Sequence, residues 1–167
     1  EKFCLLAADG VLAPSFFIKN EIEKSFKLNK DIKKILYPLP YNSNSNEVRW
    51  FNNSEKNDQY LYIGRLEYRK GVLRMLNEFE QLWNEGKDVK LKIIGGDTFF
   101  YPKNKSIEEL IKEKYSNQIK KGLLILQKPQ SFSKLHKEIS SCKAVILPSI
   151  YENLPYVVIQ SMWIGAP

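Results

Sequence analysis

Tyr60-Leu61-Tyr62-Ile63-Gly64 opens a stretch that runs through Val72, Met75, Leu76, Phe79, Leu82 and Trp83 to Val89-Lys90-Leu91-Lys92-Ile93-Ile94-Gly95-Gly96. The first run is short, apolar and ended by glycine, as a buried strand is. The middle set recurs every three or four residues and so shares one face of a helix, which Gly86 terminates. The last run is a second strand. Strand, helix and strand at this spacing predict a parallel βαβ unit. The alternation continues toward the C-terminus. Ser106 and Glu109 form a capping-box pattern ahead of a stripe of Ile107, Leu110, Ile111 and Tyr115. Leu123–Leu126 reads as a strand, Ser133–Ser141 as a helix with Leu135 and Ile139 inward, and Ala144–Leu147 as a strand. Residues 98–105 read as a loop. Pro155 stands where a first-turn proline would, ahead of Val157, Val158, Ile159, Met162 and Trp163. That helix is apolar on most sides and is predicted to be buried. The fold class is therefore α/β, a Rossmann-like parallel sheet flanked by helices.

Toward the N-terminus the same alternation recurs. Gly10-Val11-Leu12-Ala13 is a short apolar run, and Ser15 can cap a helix whose face carries Ile18, Ile22 and Phe26 and which ends at Lys27–Lys30. Ile35-Leu36-Tyr37 reads as a strand stopped by Pro38 and Pro40. Residues 41–58 are dominated by Asn and Ser, with Trp50 and Phe51 able to dock them. The predicted division is thus the end of one Rossmann-like domain at 1–40, a linker at 41–58 and a second domain at 59–167.

The chain has 167 residues, of which 43% are hydrophobic and 27% charged, a globular composition. No apolar run approaches the roughly 18 residues that span a bilayer. Two cysteines, Cys4 and Cys142, make neither a disulfide framework nor a metal knuckle, and the one histidine, His136, argues against a His-based metal site. A reducing, cytoplasmic setting is expected. The net charge of +7 and pI near 9.3 suit a partner that is a phosphate, an anionic lipid or a nucleic acid. The lysines, however, are spread along the chain and mixed with Glu, as on a solvated surface. No helix-turn-helix, aromatic RNA platform or zinc finger supports nucleic acid, so that partner is not expected. The start at Glu1 and the stop at Pro167, straight after an apolar segment, predict a piece of a longer protein.

In open parallel sheets ligands bind beyond the carboxyl ends of the strands. After the strand at 60–63 come Gly64 and a loop with Arg65 and Lys70, cations beside a helix N-terminus. That assembly suits a phosphate or diphosphate, or else a basic loop pairing with Glu67. It lacks the order of a P-loop. Gly95-Gly96-Asp97-Thr98 allows close contact with a base or ribose, or makes a simple turn. After the last strand, Ser149 and Glu152 lie in the loop that feeds the final helix. The dipole there stabilises an acid even without a ligand, and Glu152 could equally accept from sugar hydroxyls. Gln160 is either a satisfied core glutamine or a ligand contact.

Together Gly64-Arg65-Leu66, Lys70-Gly71, Ile93–Thr98, Leu147-Pro148-Ser149, Glu152-Asn153-Leu154-Pro155 and Ser161–Pro167 resemble the donor-binding domain of retaining GT-B glycosyltransferases, specifically family four, the glycosyl transferases group 1. The resemblance covers about residues 60–167, and residues 3–40 look like the last part of that family's acceptor-binding domain. It implies that Arg65 and Lys70 hold a nucleotide diphosphate and neutralise the leaving group. It implies that Glu152, the first acid of the family's E-x7-E motif, contacts donor-sugar hydroxyls. Asn153, Leu154 and Pro155 match the stretch whose backbone approaches sugar and phosphate, and Gly64, Gly95 and Ser149 fall among donor-binding positions. Gln160 stands where the family has its second, ribose-binding acid. This departure leaves open a catalytically degenerate sugar-nucleotide-binding protein. The resemblance further implies no metal cofactor, a nucleotide-sugar donor, and a hydroxyl acceptor on a glycan, lipid-linked glycan or small metabolite. The chain alone, lacking most of the acceptor half, is expected to be inactive. Lys24, Lys27, Lys30, Lys33 and Lys34 would serve peripheral contact with the inner face of a membrane, or simply a solvated face.

Overall fold

The computed structural model describes residues 2–28, 30–35 and 57–167. Its two compact units are Glu1–Asn44 with Glu152–Tyr156, and Ser45–Tyr151 with Val157–Pro167.

In the first unit, helix α1 (Lys2–Ala7) precedes strand β1 (Val11–Ala13), helix α2 (Phe16–Ser25) and strand β2 (Ile32–Lys34). The Ser15 hydroxyl accepts from the Ile18 N–H at 3.3 Å, so α2 starts where the capping residue predicted. It ends at Ser25, before Phe26 and the lysines. β1 and β2 are parallel, with Val11 opposite Ile32. Val11, Ala13 and Ile32 are buried together, with Leu5, Ile18, Ile22 and Leu28 packed against them. Strand β2 at Ile32–Lys34 was not expected; of the strand expected at Ile35–Tyr37 only Ile35 is among the described residues, and it follows β2 directly. One apolar residue, Ile32, carries the core contact there, and a strand with a single inward side chain leaves no alternation to read. Helix α1 was not expected; the Lys30 ammonium donates to the carbonyls of Leu6 and Ala8 at its end. Leu36 to Pro40, Trp50, Phe51 and nearly all of the segment read as a linker lie outside the described residues.

The second unit contains strand β3 (Gln59–Ile63), helix α3 (Val72–Asn84), strand β4 (Lys90–Ile94), a hairpin of β5 (Phe99–Phe100) and β6 (Lys105–Ser106), helices α4 (Ile107–Lys114) and α5 (Ser116–Lys120), strand β7 (Leu124–Gln127), helix α6 (Phe132–Ser141), strand β8 (Ala144–Val145) and helix α7 (Tyr156–Ile164). The main sheet has the order β7-β4-β3-β8 and every pairing in it is parallel. Period-two alternation divides the side chains between two cores. Tyr62, Leu91, Ile93 and Leu124 meet Val72, Met75, Leu76, Phe79 and Trp83 of α3 and Ile107 and Ile111 of α4 on one face. Leu61, Ile63 and Ile94 meet Ile139, Cys142 and Ile164 on the other, with Leu135 and Val157 alongside. Each fully buried Leu or Ile contributes about 1.5–3 kcal/mol on removal from water. The α3 helix ends as Gly86 enters the left-handed region at φ 77°.

Two readings are corrected. The stretch at 98–105 is an antiparallel hairpin, Phe99 opposite Ser106, and not an irregular loop. Helix α7 buries Ser161 and Ile164 but leaves Met162 73% and Trp163 50% exposed, so it is not buried on most sides within this chain.

Candidate functional site

The strand order places the site. From β3 the chain steps to β4 and then to β7 on one side, and returns to add β8 on the other side of β3. The order in which strands are added therefore reverses between β3 and β8, all strands staying parallel, and the crevice at such a switch point, beyond the carboxyl ends, is where open α/β sheets bind ligands. Two loops flank it: residues 64–71 after β3 and residues 146–151 after β8.

The backbone ties these loops together. Ile150 N–H donates to the Arg69 carbonyl at 2.9 Å. The Arg69 guanidinium donates through Nη1 to the Tyr151 carbonyl at 2.6 Å. Gly71 sits at the N-cap of α3 with φ 73°, and a Cβ on it would stand 2.1 Å from the Pro148 carbonyl oxygen. Glycine is required there twice over, by the left-handed conformation and by the approach. The first loop is braced from within as well. Tyr62 Oη donates to the Arg65 carbonyl at 2.8 Å, and the Thr98 hydroxyl donates to the Leu66 carbonyl. Leu66 itself is buried.

On this scaffold Arg65 is exposed at the end of β3, with Nη1 3.0 Å from Glu67 Oε1. The other Glu67 oxygen, Oε2, lies 3.4 Å from Arg69 Nη2. Lys70 is half-buried, one residue before the α3 N-cap. Gly64 and Arg65 follow β3 directly and Gly95 follows β4, while Ser149 lies in the loop after β8. Gly95 has a further reason to be glycine: its side-chain position is taken by the Gly64 carbonyl, 1.8 Å from where a Cβ would be. Gln160 lies half-buried in α7. Glu152, Asn153, Leu154 and Pro155 precede α7 in the segment grouped with the first unit; Asn153 is exposed and the other three are half-buried.

Arg69 was missed. Its position in the run Arg65–Lys70 was visible, but its use of a carbonyl more than eighty residues away has no local signal. The motif that contains Gly71 gives no sign of its contact with Pro148. Among the described residues no group of three or more His, Cys, Asp or Glu is placed to hold a metal ion, and no helix is long and apolar enough to cross a membrane. Cationic donors and a helix N-terminus at the switch point can hold an anion and stabilise charge that develops on it.

The parallel sheet flanked by helices matches that of GT-B glycosyltransferase domains. The chain belongs to the family of glycosyl transferases group 1, whose profile matches residues 44–167. Among solved structures, a point mutant of S. aureus TarM in complex with fondaparinux, α-GlcNAc-glycerol and UDP is 19% identical with TM-score 0.67, over 95% of this chain and 29% of that one. The pneumococcal O-GlcNAc transferase GtfA in complex with UDP and GlcNAc is 12% identical with TM-score 0.68, over 96% and 29%. Sucrose-phosphate synthase from Thermosynechococcus elongatus is 21% identical with TM-score 0.65, over 99% and 41%. The chain thus spans less than half the length of each. Among curated proteins no sequence match was found.

Proposed function

We propose that this chain is the donor-binding part of a retaining glycosyltransferase of family four, which transfers a sugar from a nucleotide diphosphate sugar to an acceptor hydroxyl. The observation that supports this most is the position of Arg65 and Lys70, on the loop after β3 beside the reversal of strand order. Arg65 and Lys70 would hold the diphosphate and stabilise its charge as the glycosidic bond breaks. Glu152 would accept from donor-sugar hydroxyls, the backbone of Asn153, Leu154 and Pro155 would approach sugar and phosphate, and Gln160 would bind ribose without charge. Gly64, Gly95 and Ser149 would let the backbone approach the donor. No metal is required in this reading, since the cations supply the charge. The division into an acceptor-side segment at 1–40, a linker at 41–58 and a donor domain at 59–167 belongs to the same proposal, as do a cytoplasmic location and peripheral contact of the basic N-terminal helix with anionic lipid.

The test is turnover by the whole protein across a panel of UDP-, GDP- and ADP-sugars with chelator present. Arg65→Ala and Lys70→Ala should each lower turnover by about 10²-fold or more. Normal turnover in both variants would remove the assigned roles. A second reading, a sugar-nucleotide-binding protein without catalysis, is favoured by Gln160. Gln160→Glu separates the two: tighter donor binding on top of existing turnover supports the enzyme, whereas donor binding with no turnover in either form supports the second reading.

A further inference from the structure

Glu67 divides its carboxylate between two arginines, Oε1 at 3.0 Å from Arg65 Nη1 and Oε2 at 3.4 Å from Arg69 Nη2. It is the more buried member of the cluster: its side chain is 23% exposed, against 63% for Arg65 and 44% for Arg69. Arg69 is anchored in turn by its 2.6 Å hydrogen bond to the Tyr151 carbonyl. The turn that carries Glu67 is fixed by two backbone bonds, Glu67 N–H to the Arg65 carbonyl at 2.9 Å and Lys70 N–H to the Glu67 carbonyl at 3.1 Å. A negative charge is thereby held against the very guanidinium that an incoming diphosphate would use.

We propose that Glu67 is a built-in counter-anion of the phosphate site, exchanged for the diphosphate at Arg65 while it keeps its pairing with Arg69. The proposal rests on the reading that Arg65 takes the diphosphate. In the free protein Glu67 occupies one edge of the Arg65 guanidinium. When a diphosphate arrives, Arg65 turns its donors to the phosphate oxygens, and Glu67 keeps Arg69 as its partner. The carboxylate is never left unpaired, so the exchange costs little. Because it stays near the bound anion, its charge opposes the diphosphate and lowers ground-state affinity. Such tempering favours release of the spent nucleotide diphosphate. Arg69 is a positioning residue in this scheme, since it acts through Glu67 and the Tyr151 carbonyl.

Inorganic pyrophosphate probes the site without a base or sugar. Its binding to this chain is measured by calorimetry at low salt for the wild type, Glu67→Gln, Glu67→Ala, Arg65→Ala and the double variant Arg65→Ala/Glu67→Gln. Both neutral replacements at position 67 should bind pyrophosphate about three- to tenfold more tightly than the wild type, with a steeper salt dependence. The tightening should largely vanish in the Arg65→Ala background, because the exchange partner is gone. A merely structural Glu67 would give weaker binding together with a lower melting temperature, which overturns the proposal. Equal affinity in wild type and both neutral variants, with binding still dependent on Arg65, overturns it while leaving the phosphate-site reading intact. Undiminished tightening in the Arg65→Ala background also overturns it, since diffuse charge and not exchange would then be acting. Absence of binding in every variant removes the phosphate site itself.

Discussion

The carbonyl oxygen of Gly64 occupies the place where a side chain on Gly95 would stand, 1.8 Å from an ideal Cβ. The contact arises because the parallel ladder continues past both strands: Gly64 N–H donates to the Ile94 carbonyl at 3.0 Å and Leu66 N–H to the Gly96 carbonyl at 2.8 Å. Two strand ends that would normally diverge into loops are drawn together at the mouth of the site.

Gly95→Ala should therefore destabilise the second unit by about 2–4 kcal/mol, since backbone must move to admit the methyl group. Gly96→Ala is the internal control. The nearest atom to a Cβ there is Pro129 Cγ at 3.8 Å, ordinary contact distance. Its effect should stay within about 0.5 kcal/mol. Urea unfolding of both variants checks the contrast, and equal midpoints would refute the close approach.

Gly71→Ala meets two obstacles, a left-handed φ of 73° and the Pro148 carbonyl oxygen 2.1 Å from its Cβ. Gly86 is also left-handed, at φ 77°, but has nothing within 4 Å of a Cβ. Gly86→Ala should cost about 1 kcal/mol, the conformational term alone. Gly71→Ala should cost about 2–4 kcal/mol and also weaken pyrophosphate binding, because the loops at 64–71 and 146–151 must separate. A Gly71→Ala protein no less stable than Gly86→Ala would show that the two loops are not in firm contact.

The strands of the main sheet were legible because each is a short apolar run ended by glycine or a polar turn: Gln59–Ile63, Lys90–Ile94 and Leu124–Gln127 fall where those runs do. The hairpin at Phe99–Ser106 was not, because two-residue strands show no alternation and its turn depends on Asn104 at φ 50°. Composition also misled at α7, where an apolar sequence implied burial that Met162 and Trp163 do not have. At the site, Arg65 and Lys70 could be read from their place between a strand and a helix. The contacts of Gly71 with Pro148, Gly95 with Gly64 and Arg69 with Tyr151 could not, because they join segments distant in sequence and depend on which strands become neighbours. The sequence shows Glu67 only as a partner for basic residues; its division between Arg65 and Arg69 depends on the turn that places both beside it.

Lys92 and Glu138 join β4 to α6, with Nζ 2.8 Å from Oε2, and their side chains are 14% and 22% exposed. A pair this sheltered depends on both members, since removing one leaves a charge poorly solvated. Glu138→Leu and Lys92→Met should each cost about 1–2 kcal/mol. The double variant should be less destabilised than the sum, because two apolar chains fill the space without an orphaned charge. Strictly additive losses in chemical unfolding would argue that the pair is screened by water.

Glu108 lies in the first turn of α4 and accepts from Lys112 at 2.7 Å and Lys128 at 2.6 Å, with its side chain 14% exposed. The hydrogen bond from Lys112, then that from Lys128, hold its carboxyl below the ordinary value of 4.5. The sign follows by linkage. A carboxylate whose native pKa is depressed binds its proton more readily in the unfolded chain, so the stabilisation is fully present above the unfolded value. It is lost as pH falls through the lowered native value. Glu108→Gln should thus lower stability near neutral pH by up to about 1 kcal/mol and flatten the acid side of the stability profile. Wild type and variant should converge once pH is below the native value, where Glu108 is protonated in both states. Melting curves between pH 7 and pH 3 measure this. A constant gap between the two proteins across that range would mean that the carboxylate's charge, and with it the Lys112–Glu108–Lys128 bridge from α4 to the end of β7, contributes nothing to the fold.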